Sequence, residues 1–110
     1  MSTWNVDLTN TAERDYASIL EWTMVHFGAH QAAAYAEVLR TTFQTLRSGP
    51  RVPGAKQRHD IQPGAFTLQA VARRRSARHV LVFRISCHEK RVIEVLRILH
   101  DAMDLPRHIS

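Results

Sequence analysis

The sequence contains a single cysteine, Cys87, and no apolar run near the roughly 20 residues that a membrane-spanning helix requires. One cysteine excludes an intrachain disulfide framework, which fits a reducing compartment. The first eight residues, MSTWNVDL, lack the basic and then apolar segments of an export signal. We therefore expect a cytoplasmic protein that does not use a membrane as its partner.

Short motifs of the large enzyme classes are also missing. The sequence has no G-x-S-x-G nucleophile motif, no phosphate-binding Walker loop and no G-x-G-x-x-G dinucleotide motif. It has no glycine- or proline-dominated tract, and 110 residues with 45% hydrophobic content are enough for one hydrophobic core. We expect residues 1–110 to form a single domain without a cofactor.

Acidic residues are scarce in the middle of the chain. Between Arg40 and Arg91 there are ten arginines and two lysines against Asp60 and Glu89, whereas the rest of the chain has three arginines against eight acids. The planar guanidinium group pairs with phosphate or carboxylate through two hydrogen bonds. This pattern indicates a nucleic acid or an acidic protein segment as the partner, unless the arginines only form a solvated surface.

Apolar periodicity predicts two helices after a short N-terminal strand at residues 4–8. Asn10 is the candidate N-cap of the first helix, and Gly28 ends it. A second helix is expected over residues 29–47, and the short link predicts an antiparallel helical hairpin. The apolar stripe of the first helix comprises Tyr16, Ile19, Leu20, Thr23, Met24 and Phe27.

The second half of the chain is predicted to be mainly strand. Prolines and glycines among basic residues indicate an irregular loop at residues 49–64. Three strands are expected, over residues 66–72, 78–87 and 91–99, with a basic turn at 73–78. The last two are apolar on both faces, which is typical of the middle of a sheet. The predicted fold class is α+β, with the N-terminal strand and the α-helical hairpin packed on a small, mainly antiparallel β-sheet.

The segment RILHDAMDLPRHI, residues 97–109, is rich in ionisable side chains. His100, Asp104 and His108 are spaced four and four, as metal ligands on one helical face would be. Pro106 interrupts such a helix because it lacks a backbone donor and clashes with the preceding turn. We therefore expect no metal site in this segment.

Two catalytic schemes can be written from the residues. Cys87 could act as a nucleophile with His88 or His100 as its base, but a lone cysteine in an apolar strand is more often a small core residue. Metal-free RNA cleavage needs positioned cations and one proton donor or acceptor. The candidates for that role are Arg78, Arg84, Arg97 and His100.

Five segments of the sequence carry a family resemblance: DLTNTAERD at 7–15, FGAHQAAAY at 27–35, LRSGPRVPG at 46–54, RHVLVFRI at 78–85 and VIEVLRILHDAMDLPRHI at 92–109. In this order they resemble the RelE/ParE superfamily of toxins from bacterial type II toxin-antitoxin systems. The last segment, a strand that runs into R-I-L-H-x-x-M-D, is similar to the ParE branch. The similarity covers nearly the whole chain and implies the same hairpin-on-sheet fold.

The resemblance also implies a function and partners. A toxin of this kind is held inactive by a cognate antitoxin, in a hetero-oligomer of the two proteins. In the ParE branch the implied target is DNA gyrase, which is inhibited by binding rather than by enzyme action. The RelE branch implies ribosome-dependent, metal-independent cleavage of messenger RNA, generally with a C-terminal tyrosine or histidine. No tyrosine follows Tyr35 here, although His100 and His108 could substitute. We therefore favour the ParE branch, with the ribosome-dependent RNase as the first alternative and a non-toxic RNA- or protein-binding module as the third.

A basic toxin surface would suit an acidic antitoxin segment that wraps around it. The expected antitoxin-binding residues are Arg73, Arg74, Arg75 and Arg78, together with the exposed edges of the helical hairpin. His100, Met103 and Asp104 are further candidates for partner binding. Arg97, at the end of a central strand, needs a counter-charge of its own, and we expect Asp101 or Asp104 to supply it.

Overall fold

The computed structural model of the protein describes residues 3–72 and 75–100. Within these ranges the elements follow in the order strand, two helices and four strands. They are β1 (Asn5–Leu8), α1 (Asn10–Phe27), α2 (Ala29–Leu46), β2 (Lys56–Gln57), β3 (Phe66–Ala72), β4 (Arg75–Ile85) and β5 (Val92–His100).

The strands form one sheet in the order β1-β5-β4-β3-β2. β1 runs parallel to β5, with Asn5 opposite Val92, and the other neighbours are antiparallel. β4 and β5 therefore lie inside the sheet, as their apolar sequences predict. The expected α+β fold is confirmed. The short strand β2 was not expected, because it lies within the segment predicted to be an irregular loop.

The start of α1 is fixed by Thr9, and the prediction of Asn10 as the N-cap was wrong. The Oγ1 atom of Thr9 accepts a hydrogen bond from the backbone nitrogen of Ala12 at 3.1 Å. The same hydroxyl donates to the carbonyl oxygen of Leu96 on β5 at 3.0 Å. Threonine and asparagine are both good caps. The hydrogen bond from Thr9 to Leu96 on β5 decides which of the two residues is the cap. This contact joins residues far apart in the chain, so it cannot be predicted from the local sequence.

Gly28 separates the two helices and allows the abrupt turn between them. Its φ angle of +92° lies in the region that side chains rarely adopt. Its backbone nitrogen donates to the carbonyl oxygen of Met24 at 2.9 Å, which closes the last turn of α1. The predicted helical hairpin is confirmed, and α2 begins directly at Ala29.

The hairpin packs on one face of the sheet over an apolar core. The buried members of this core are Ala12, Leu39, Leu46, Phe66, Leu68, Ala70, Leu81, Phe83, Ile93, Val95 and Ile98. Tyr16 and Ile19 of α1 pack against it, as their spacing predicts. Met24 and Phe27 belong to the same predicted stripe but are exposed. The last turns of α1 therefore extend beyond the part of the helix that the sheet covers.

The loop between α2 and β3 covers the opposite face of the sheet. Its residues Ile61 and Ala65 are buried with Val82 of β4 and Leu99 of β5. Arg58 and Asp60 in this loop form two hydrogen bonds, at 2.8 and 2.7 Å. The Arg58 guanidinium lowers the pKa of the Asp60 carboxyl below its usual value.

A β-bulge interrupts the pairing of β4 with β5. Val95 lies opposite Phe83 and Arg97 lies opposite Val82, so Leu96 has no counterpart on β4. β1 ends at Leu8, opposite Val95. Beyond this point the outer edge of β5 faces α1 instead of a strand.

Asp15 of α1 binds the edge of β5 next to the bulge. Its carboxylate accepts hydrogen bonds from the Nε and Nη2 atoms of Arg97, at 2.7 and 3.1 Å, and from the backbone nitrogen of Ile98 at 3.0 Å. The hydrogen bond with Asp15 raises the pKa of Arg97 above its usual value. The structure thus pairs Arg97 with Asp15; the predicted partners, Asp101 and Asp104, lie outside the described residues.

We expect Asp15→Ala to lower the free energy of unfolding by about 2–3 kcal/mol, because it removes the carboxylate that accepts three hydrogen bonds, two from the half-buried Arg97 side chain and one from the backbone of Ile98. Urea denaturation followed by circular dichroism measures the change. Glu37→Ala is the matched control, since it removes a carboxylate that pairs with Arg40 on the exposed face of α2. Its expected effect is below about 0.5 kcal/mol. Equal losses for both variants would contradict the role assigned to Asp15.

Candidate partner-binding surfaces

Two of the four residues considered for RNA cleavage are engaged in ion pairs. The Nε atom of Arg84 donates to Oε1 of Glu94 on the neighbouring strand at 2.9 Å. Arg97 is bound by Asp15 through two hydrogen bonds. A substrate phosphate would have to compete with a carboxylate for either guanidinium group.

The other two candidates lie on opposite faces of the sheet. Side chains alternate along a strand, so His79 and Arg78 point to different faces. His79 faces the helices, because its ring contacts Tyr35 of α2. His100 lies opposite His79 on β5 and shares its face. Arg78 is exposed and lies about 20 Å along β4 from Arg84. The structure therefore does not collect the four residues into one site.

A hydrogen-bonded aromatic cluster at the end of the sheet joins Tyr35, His79 and His100. The Tyr35 hydroxyl oxygen lies 2.5 Å from Nδ1 of His79. The rings of His79 and His100 meet edge to face, with 5.6 Å between their centroids. Composition and spacing give no sign of this cluster. The register of β4 with β5 could have indicated the histidine pair, but the bulge displaces that register by one residue.

The predicted partner-binding residues are only partly within the described chain. Arg73, Arg74, Met103 and Asp104 lie outside it, as do His108 and Asp101 of the C-terminal segment. Arg75 is already the first residue of β4, so residues 75–78 of the predicted basic turn belong to a strand. Arg78 is exposed on β4, and His100 is half-buried at the end of β5.

Cys87 is exposed in the turn between β4 and β5, and its prediction as a core residue was wrong. The reason is that β4 ends at Ile85, two residues before the cysteine. Over residues 3–72 and 75–100, no group of three or more His, Cys, Asp or Glu side chains is placed to hold a metal ion. No helix in the same ranges is long and apolar enough to cross a membrane.

An open groove of about 420 Å³ lies between α2 and the edge of the sheet at β1. Its charged lining residues are Arg40, Arg47, Asp7 and Glu89, with Phe43 as an apolar wall. Arginines and acids are equal in number here, and Arg40 also pairs with Glu37 at 3.0 Å. The groove is therefore not an electropositive pocket for phosphate, in spite of the basic charge of this part of the sequence.

Comparison with known sequences identifies relatives over almost the entire chain. A family model described as the ParE toxin of the type II toxin-antitoxin system parDE matches residues 6–105. Toxin ParE1 of Caulobacter vibrioides is 26% identical over 103 residues, which cover 94% of this chain and 95% of that protein.

Solved structures with the same fold come from both branches of the superfamily. The chromosomal ParDE system of P. aeruginosa matches with a TM-score of 0.67 and 20% identity, over 88% of this chain and 95% of the other. The RelBE2 toxin-antitoxin complex of Mycobacterium tuberculosis matches with a TM-score of 0.60 and 22% identity, over 89% of this chain and 98% of the other. A mutant of E. coli toxin RelE in the free state matches with a TM-score of 0.63 and 16% identity, over 98% of this chain and 94% of the other. At these identities the structures establish the fold and do not distinguish between the two activities.

We expect Tyr35→Phe to reduce stability by about 1 kcal/mol, because it removes a hydroxyl that bonds to His79 inside the fold. A double-mutant cycle with His79→Ala, followed by urea denaturation, isolates this bond. The tyrosine change should have little effect once His79 is absent. If Tyr35→Phe lowers the free energy of unfolding by the same amount with and without His79, the effect of Tyr35 comes from other contacts.

Proposed function

The chain belongs to the ParE family of toxins of type II toxin-antitoxin systems, and from this we propose that it inhibits DNA gyrase by binding to it and is neutralised by a cognate antitoxin. Gyrase is the target implied by resemblance to the ParE branch. Inhibition by binding requires an exposed protein surface and no catalytic group.

The observation that carries this proposal is the state of the basic residues on β4 and β5. Arg84 and Arg97 are each paired with a carboxylate, and Arg78 lies on the face opposite His100. Cleavage of RNA requires cations and an acid or base arranged around one phosphate. The described side chains lack that arrangement, whereas a binding function does not need it.

The antitoxin is proposed to contact the basic surface at the start of β4. Arg78 is exposed there, three residues after Arg75 in the sequence. An acidic antitoxin segment would pair with such a surface and would associate faster at low salt. The RelBE2 structure, which is a toxin-antitoxin complex on the same fold, supports a partner of this type.

Ribosome-dependent mRNA cleavage is the alternative function. The specific observation in its favour is the hydrogen bond between Tyr35 and His79, with His100 against the same ring. Such a group can hold or transfer a proton. The fold similarity to RelE is compatible with this alternative.

The first experiment measures both activities of the same purified protein. We expect it to inhibit ATP-dependent supercoiling of relaxed plasmid by gyrase, because gyrase is the proposed binding partner. Messenger RNA in a translating extract should stay intact. The product of the adjacent reading frame, if it is the antitoxin, should restore supercoiling when added in equimolar amount. Transcript cuts at defined positions, with supercoiling unaffected, would reject gyrase as the target.

A second experiment removes the possible catalytic groups. Arg84→Ala and His100→Ala should each retain growth inhibition within about twofold, because neither residue takes part in the proposed activity. Growth is measured after induction, and thermal unfolding confirms that each variant is folded. Loss of toxicity in both folded variants, with antitoxin binding intact, would support the RNase alternative.

A further inference from the structure

The end of the helical hairpin is an exposed protrusion. Residues 21–31 comprise the last turns of α1, Gly28 and the first residues of α2, and we call them the hairpin tip. Every residue of the tip is exposed except Thr23, which is half-buried. The nearest fully buried residue is Ala32 of α2, and α1 has no fully buried residue after Ala12. The tip therefore projects beyond the core, where a partner can surround it.

The tip concentrates the exposed apolar side chains of the described chain. Of the six large hydrophobic residues that are exposed, four lie within six positions: Trp22 at 55%, Met24 at 54%, Val25 at 74% and Phe27 at 63%. Exposed apolar residues scattered singly need no explanation, but a contiguous cluster of this kind marks an interaction site.

The aromatic side chains of the tip are held in place by one another. The rings of Trp22 and His26 are stacked with 4.1 Å between centroids, and Phe27 meets Trp22 edge to face at 5.7 Å. The Nδ1–H of His26 donates to the carbonyl oxygen of Trp22 at 2.8 Å. Because these rings already hold one another in place, the side chains of the tip would lose little conformational entropy when a partner binds them. Tryptophan is also enriched among the residues that dominate binding energy.

The charge of the tip excludes two classes of partner. Apart from Glu21 at its start, the tip contains no Lys, Arg, Asp or Glu, in a chain that is 23% charged. Nucleic acid binds mainly through cations on its phosphates, so the tip does not fit DNA or RNA. An acidic antitoxin segment would pair with the exposed Arg78 on β4 instead.

A symmetric contact between two tips is disfavoured by shape. The four apolar side chains expose roughly 450 Å² together, from typical side-chain areas. Two convex tips can meet over only part of this area, so they would bury less than about 900 Å² in total, below the ~1,200 Å² of the smallest stable interfaces, whereas a recess can also cover the flanks of the tip. Two protruding surfaces also cannot enclose each other. The occupant must be concave.

We propose that the hairpin tip inserts into an uncharged apolar recess on the protein target of the toxin, with Trp22 and Val25 as its main contacts. The proposal rests on the proposed function, in which that target is gyrase. It divides the molecule into two surfaces of different chemistry. The tip binds the target, and the basic start of β4 binds the antitoxin.

The test compares three full-length variants in the gyrase supercoiling assay. Val25→Glu puts a charge on the most exposed apolar residue of the tip, and Trp22→Ala removes its central ring. Val71→Glu is the matched control, because Val71 is a similarly exposed valine on β3. We expect the concentration for half-inhibition to rise about tenfold or more for both tip variants and to stay within twofold for the control.

Two further measurements separate the possible occupants. Calorimetric titration with the antitoxin should give the same affinity for the wild-type protein and the tip variants. Sedimentation should show a monomer for all of them. A tip variant that loses antitoxin binding, or a wild-type dimer that Val25→Glu dissociates, would overturn the inference by showing a different occupant.

Failure of the inference is distinct from failure of the proposed function. If the wild-type protein and both tip variants inhibit gyrase equally, the inference is overturned and the proposed function is not. Wild-type protein without any effect on supercoiling would overturn the proposed function, and the inference with it. Urea denaturation of each variant shows whether a lost activity reflects a lost surface or a lost fold.

Discussion

The carboxylate of Asp15 fixes the position of the helical hairpin on the sheet. It accepts three hydrogen bonds at the point where β1 has ended and the bulge has changed the course of β5. Thr9 makes the neighbouring attachment through its hydroxyl and its backbone nitrogen, which donates to Val95. Both contacts lie at the base of the hairpin. Because the base is fixed, the other end needs no contact with the sheet, and its apolar residues are left exposed.

Much of the fold could be predicted from the sequence, because the elements are encoded by short-range patterns. The helix break at Gly28 and the apolar character of the two inner strands are properties of neighbouring residues. The errors occurred where a distant residue decides the outcome. Thr9 is the N-cap because it also reaches Leu96, far along the chain. Cys87 is exposed because β4 ends at Ile85, where its pairing with β5 stops.

The candidate surfaces were less predictable than the fold. Charge composition correctly indicated a basic chain, but composition cannot show that Arg84 and Arg97 are neutralised by carboxylates. The pairing of His79 with His100 depends on a bulge that has no sequence signal of its own. Phe27 follows the same helical periodicity as Tyr16, yet only Tyr16 meets the core. The length of helix that the sheet covers is a tertiary property.

The parallel pairing of β1 with β5 has a consequence for the order of folding. The hairpin joins neighbouring segments and can form early, whereas Asn5 has its strand partner at Val92. During synthesis the chain emerges at about 5–20 residues per second, so β1 waits for several seconds before its neighbour exists. Contacts between such distant segments form late. Closure of the sheet therefore follows formation of the hairpin, and a nascent chain that stops before β5 lacks the strand on which both β1 and Asp15 depend.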